Sequence, residues 1–399
     1  MKLHLKIFRV LLFLLPLQIG KHFWPDWSLV FGIRVDYLSP VIYLTDILVL
    51  TLLLVWLGQN FREIGGFLVK KKIYIFLIGA LFLANVLVAQ HPTAAFFGWA
   101  KIFEVLAFSF YVFWEKEKTV NLIYKTIPLT LFYLAPIAVL QFYFQRTIGG
   151  PLYFLGERSF SVSTPGIALV DLWGKSFMRP YTIFPHPNAL AGYALVATLI
   201  AFFQKEKRGL LFFSEIFFGL FVILISFSQN AWISLLLIIA LKLIGKKTYF
   251  YTTLLVFVLS LALLFPINLS LFSLSFFGES FSKRLELSRI AGVIFAKRPF
   301  LGIGLNNLFY LLPSFQNRVS WWLQPIHNTY LLVLTETGFL GFSYFYFFVL
   351  RPFVKKKNLP FLIFLLAIIL TGFSDHYWLT AQQNLLLFGI VVGGAYSWN

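Results

Sequence analysis

The sequence predicts an all-α, polytopic integral membrane protein of about twelve transmembrane helices, with a large extracytoplasmic loop that contains short helices. Three observations predict this. Hydrophobic residues make up 59% of the 399 positions and charged residues only 12%, which excludes an ordinary soluble domain. The apolar residues fall in runs near the roughly 20 residues that a helix needs to span a bilayer. The strongest basic clusters fall in alternate gaps between those runs.

In order, the runs cover 7–24, 39–58, 73–90, 95–114, 122–145, 186–203, 209–227, 229–245, 248–267, 326–350, 358–374 and 380–397. The first has a basic start (Lys2, Lys6, Arg9) and resembles a signal peptide. No small-x-small cleavage site follows and many further runs do, so a retained helix is expected. Arg62 and Lys70 to Lys72 follow the second run, and Lys116, Lys118 and Lys125 the fourth. Lys205, Lys207 and Arg208 follow the sixth, Lys246 and Lys247 the eighth, and Arg351 with Lys355 to Lys357 the tenth. With twelve spans, all lie on one face. The positive-inside rule makes that face cytoplasmic, with both termini inside. Residues 1–399 then form a single membrane domain. Two long extracytoplasmic loops follow, 146–185 and 268–325, the second with a helix-like stretch near 279–297.

Several classes fall away. The net charge of +18 is accounted for by topology, and no nucleic-acid partner is expected. Cysteine is absent, which removes disulfides and thiolate metal sites. The six histidines form no His-x-x-x-His pair, and there is no Asp-x-Asp motif. No metal or cofactor is expected. Gly302-Ile303-Gly304 lacks the third glycine and the βαβ setting of a nucleotide fingerprint and reads as a loop turn.

The same span count puts Arg146, Arg158, Arg179, His186, Gln229, Arg284, Arg289, His327, Asp375 and His376 on the outer side. That one-sidedness points to an outward-facing site. On a helix, Arg284 has no acidic neighbour at three- or four-residue spacing, whereas Arg289 has Glu286 and Lys283 has Glu279. A forked cation without a local carboxylate is suited to phosphate. Snorkelling to water or headgroups is the plainer alternative. His327 follows Pro325 and opens an apolar run. An imidazole there is able to take a proton from a hydroxyl near neutral pH, or simply to cap the helix. Down that helix, Gly338 and Gly341 would let another helix approach. In Pro185-His186-Pro187-Asn188, His186 and Asn188 suit either helix capping or sugar contact, and Arg179 adds positive potential upstream. Gln229 lies in a tight outer turn, Ser228 to Trp232, where it either binds ligand or satisfies the turn. Asp375-His376 reads as structural rather than as a metal or proton relay.

These residues resemble the O-antigen ligase and O-antigen polymerase superfamily. The likeness rests on three ordered blocks between about 180 and 350. They are Pro185-His186-Pro187-Asn188 with Ala191-Gly192; Ser282 to Leu287 followed by Arg298-Pro299-Phe300-Leu301-Gly302-Ile303-Gly304; and His327-Asn328 with Glu336-Thr337-Gly338-Phe339-Leu340-Gly341. The resemblance implies a membrane glycosyltransferase of cell-envelope polysaccharide or lipopolysaccharide assembly. It implies a glycan donor on undecaprenyl diphosphate, an acceptor hydroxyl on a glycan or lipid, and metal-independent, inverting chemistry. It implies Arg284 on the diphosphate and His327 assisting the acceptor. Arg179, His186, Asn188, Gln229, Arg289 and Asn328 are the candidate substrate contacts. The family often has Ser-Arg-Gly-Ala-Trp where this chain has Ser228-Gln229-Asn230-Ala231-Trp232, so one phosphate contact is neutral here. The rivals are a lipid-linked glycan flippase, for which Lys101 and Glu104 are the only hint, and a non-catalytic scaffold of a glycan-assembly complex.

Overall fold

The computed structural model describes residues 1–204, 209–245, 247–263, 278–316, 322–355 and 358–397, with the side chains of 278–281 left aside. Lys205, Lys207, Arg208, Lys246, Lys356 and Lys357 of the basic clusters, and the Glu279 side chain, lie outside the described residues.

Each apolar run contains a helix. In chain order these are Leu3–Leu14, Leu44–Lys70, Lys72–Leu87, Pro92–Glu115, Leu131–Phe144, Pro187–Phe203, Leu210–Ile225, Gln229–Ile244, Lys247–Ala262, Thr329–Val354, Leu359–Gly372 and Gln382–Tyr396. Among the described residues, four segments are long and apolar enough on their own to cross a membrane: Leu44–Lys70, Pro92–Glu115, Glu117–Phe144 and Thr329–Val354. The chain is a mostly helical integral membrane protein. The helix-like stretch near 279–297 is helix Gly278–Lys297.

The first run departs from expectation. Its helix stops at Leu14, and Gly20–His22 is a strand. Leu15 still has helical geometry, but Pro16 has no amide to bond back one turn, so the helix is 12 residues long, about 18 Å. Its Leu5, Phe8, Leu11 and Leu12 are buried, and it packs on Leu44–Lys70 and Glu117–Thr126.

Short antiparallel ribbons add a β component to the helical fold. Gly20–His22 pairs with Val41–Tyr43, Leu29–Val30 with Ile33–Arg34, and Leu169–Leu172 with Lys175–Met178. Two are hairpins closed by Phe31-Gly32 and Trp173-Gly174, all four residues at positive φ. Two left-handed residues in a row are what a tight hairpin turn needs.

Pro187–Phe203 is buried on nearly every side, as a central helix of a bundle must be. It packs against Leu210–Ile225 and Leu359–Gly372. Gln382–Tyr396 lies against Pro92–Glu115. A Cβ on Gly393 would stand 2.4 Å from the Ser109 carbonyl oxygen, so the small residue sets that close approach.

Thr329–Val354 is broken at Gly338, which has φ 66°. The expected role of this glycine, admitting a neighbouring helix, gives way to another. The 299–304 loop is spliced into the break. Phe339 N donates to Pro299 O (2.7 Å), Leu340 N to Phe300 O (3.1 Å) and Gly304 N to Glu336 O (2.9 Å). A Cβ on Gly338 would lie 2.4 Å from the Phe300 carbonyl carbon, and one on Gly302 would lie 2.5 Å from that of Glu336. A Cβ on Gly341 would meet chiefly the Thr337 side chain of the same helix. Gly302-Ile303-Gly304 is a loop, with both glycines at positive φ, shaped to satisfy an opened helix.

Candidate active site

Helix Gly278–Lys297 packs on Thr329–Val354. Its buried Leu287, Ile290, Ala291 and Ile294 join a cluster with Phe309, Leu312, Ile326 and Leu331. Arg284 lies three residues before Leu287 and seven before Ala291, so it continues the buried stripe rather than the solvent face. Its Nε is buried and has no hydrogen-bond partner among the described residues.

His327 stands just ahead of Thr329–Val354. Asn328 caps that helix: its Oδ1 accepts from the amides of Tyr330 (2.9 Å) and Leu331 (3.0 Å). Its Nδ2 donates to Phe373 O at 2.8 Å. Asn328 is thereby committed to local structure. His327 Nδ1 is buried and lacks a hydrogen-bond partner among the described residues. The His327 ring meets His376 edge-on at 5.0 Å and stacks with Trp322 at 6.2 Å.

The sequence reading left Asp375-His376 outside the site, and the fold brings both in. Asp375 Oδ2 accepts from Asn188 Nδ2 at 2.8 Å, and Asp375 Oδ1 from the His376 amide at 2.8 Å. Asn188 Oδ1 in turn accepts from Arg179 Nη2 at 2.6 Å, while Arg179 Nε donates to Ser226 O at 2.8 Å. His186 caps its own helix, Nδ1 accepting from the Asn188 amide at 3.1 Å. Arg179, Asn188, Asp375 and His376 thus form a continuous hydrogen-bonded line across three segments of the chain. Only the adjacency of an acid and a histidine in the sequence hinted at the last two.

The electrostatics make the cluster one unit. Burial lowers the His327 pKa below the ordinary imidazole value; Asp375 opposes this and Arg284 adds to it. Burial likewise lowers His186 and His376, again against Asp375. For Asp375, burial disfavours the charge. The nearby His376, His327, His186 and Arg284 outweigh it and hold the carboxyl below its usual range. Burial thus disfavours the charged form of each imidazole, while the positive surroundings favour the carboxylate of Asp375.

Two expected contacts stand apart. Gln229 and Arg289 are exposed, and among the described residues neither makes a hydrogen bond or ion pair to the cluster. Gln229 opens helix Gln229–Ile244, and Arg289 faces away from the stripe that carries Arg284.

A cavity of about 1790 Å³ reaches this cluster. His186, His327, Asp375 and His376 line it, and so do Lys71, Arg351 and Lys355. His327 and Lys355 flank opposite ends of Thr329–Val354, two helical stretches joined at the Gly338 break. Between the ends the wall includes Leu81, Val105, Phe345 and Phe388.

Residues 216–346 match the family model described as O-antigen ligase. That segment, about a third of the chain, is similar to the family. It includes Arg284, the 299–304 loop, His327 and the Gly338 break. It leaves out Arg179, His186, Asn188, Asp375 and His376, which the fold supplies from either side of it. No curated protein and no solved structure matches the chain.

Proposed function

We propose that this chain transfers a glycan from an undecaprenyl-diphosphate carrier to an acceptor hydroxyl on the extracytoplasmic face of the inner membrane. The reading is supported by the electrostatic influence of Arg284 on His327 and Asp375, by the buried Arg284 Nε that has no hydrogen-bond partner among the described residues, and by His327 lining a largely apolar cavity. The diphosphate accepts from the Arg284 guanidinium. Neutral His327 takes the acceptor proton as the oxygen attacks the anomeric carbon and the bond to the lipid diphosphate breaks, with inversion. Arg284 stabilises the negative charge on the leaving diphosphate. Asp375 stabilises the imidazolium that forms. Arg179, His186, Asn188 and Asn328 hold these groups in place, and Gln229 and Arg289 act only at the rim. The chemistry needs no metal. Twelve spans with both termini in the cytoplasm complete the proposal, in which the acceptor is lipid A-core, a protein or a second lipid-linked glycan.

The flippase alternative would want ionisable groups near the bilayer midplane. Lys101 is bonded to Glu104 (3.1 Å) and also to Asp46 (2.7 Å). Asp46 lies in the first turn of Leu44–Lys70, so Lys101 has two carboxylate partners, although Glu104 Oε1 is buried with no hydrogen-bond partner among the described residues.

The test is glycan transfer in membranes. Arg284→Ala and His327→Ala should each abolish it with normal insertion, and full activity in both variants rejects the site. The native chain has no cysteine, so Arg284→Cys can be probed with an impermeant thiol reagent. Labelling from the cytoplasmic side alone would overturn the orientation.

A further inference from the structure

His327, Asp375 and His376 each offer one donor atom, and these atoms all lie within 4.8 Å of one another. Two imidazoles and one carboxylate suit a zinc-type ion and do not suit Mg²⁺, which prefers oxygen ligands. The donors are already oriented. His376 Nδ1 faces Thr380 Oγ1 at 2.7 Å, which leaves Nε2 available, 3.9 Å from Asp375 Oδ1. Asp375 is fixed by Asn188, and Asn188 by Arg179. Outer partners of this kind set ligand geometry in metal sites. The third donor is a ring nitrogen of His327, which lines the cavity.

We propose that this triad is a binding site for a zinc-type divalent ion, and that filling it switches glycan transfer off. Metal–nitrogen bonds of about 2.0–2.1 Å place tetrahedral ligands about 3.3 Å apart, so the triad must contract slightly. Rotation of the imidazoles supplies that. All three residues line the cavity, which leaves the fourth position open to water. Arg284 opposes a cation here and Asp375 favours one, so the ion remains exchangeable. An ion on His327 withdraws the imidazole from the acceptor proton. The binding stands on the triad alone. The inhibition rests on the role of His327 proposed above.

The full chain, purified in detergent and stripped with EDTA, is dialysed against low-micromolar Zn²⁺, and retained zinc is counted by plasma mass spectrometry. About one ion per chain is expected. It should be lost in the double variant Asp375→Asn/His376→Gln and kept in His91→Gln, which lies outside the cluster. Co²⁺ added to the unmodified chain should give a visible absorption band that Zn²⁺ displaces, a readout that needs no variant. No retained ion and no band, or equal zinc in the double variant, overturns the site. Zn²⁺ should inhibit transfer and EDTA should restore it, with at least about tenfold more Zn²⁺ needed in His376→Gln. Zinc retained with transfer unchanged would leave the site standing and remove both the inhibition and the proton-accepting role of His327.

Discussion

Two buried polar clusters touch helix Thr329–Val354, one at its start and one at its break. At the break, Asn85 is saturated. Its Nδ2 donates to the carbonyls of Leu301 and Glu336, and its Oδ1 accepts from Trp99 Nε1 and the Leu305 amide. That uses all four hydrogen-bonding sites of a carboxamide. At the start, Arg284 Nε and His327 Nδ1 are equally buried and bond to nothing among the described residues. The first cluster stabilises the fold. The second keeps unmet bonding capacity, and its His327 lines a cavity, which suits a ligand that arrives later. Burial alone does not separate the two; saturation does.

The contrast can be broken most severely at its open end. Arg284→Ala or His327→Ala should cost about 10²-fold or more in transfer, while detergent-solubilised variants melt close to the native chain. A matching fall in melting temperature would make both residues structural. Next, Gly338→Ala and Gly302→Ala each add a Cβ where backbone atoms already stand and where φ is positive. A loss of about 3 kcal/mol or more is expected, read as poor accumulation of folded protein. Normal yield would refute the splice. Asn85→Ala should cost about 2–3 kcal/mol by stranding buried backbone groups, yet leave turnover per folded molecule near the native value. A selective fall in turnover would erase the distinction between the clusters. Smaller still, Gln229→Ala and Arg289→Ala, both exposed, should change stability by under about 0.5 kcal/mol and transfer only slightly. EDTA without added zinc should leave transfer intact, and a loss rescued by Mg²⁺ would contradict a metal-free reaction.

Much of the fold is legible in the sequence because membrane burial acts on contiguous stretches. A run such as 95–114 becomes helix Pro92–Glu115 whatever its neighbours do. The first run misled because Pro16 interrupts it, and the hairpins at Phe31-Gly32 and Trp173-Gly174 carry only a single glycine each as a signal. Arg284 and His327 stood out for a similar local reason: one lacks an acidic helix neighbour and the other opens an apolar run. Asn328 was ambiguous, since the same side chain serves a cap or a sugar, and its two accepted amide hydrogens show the cap. Asp375 carries no local signal because its partners are distant in sequence, Asn188 being 187 positions away.

Composition and segment length alone settle that this is a helical membrane protein and where its apolar helices run, since hydrocarbon solvation is decided over one turn after another of a single segment. That Gly338 opens a helix for the 299–304 loop, and that Asp375 and His376 stand with His327, follows only from how the segments pack. Those are meetings between segments tens to hundreds of residues apart, and no local preference for helix or hydrocarbon contains them.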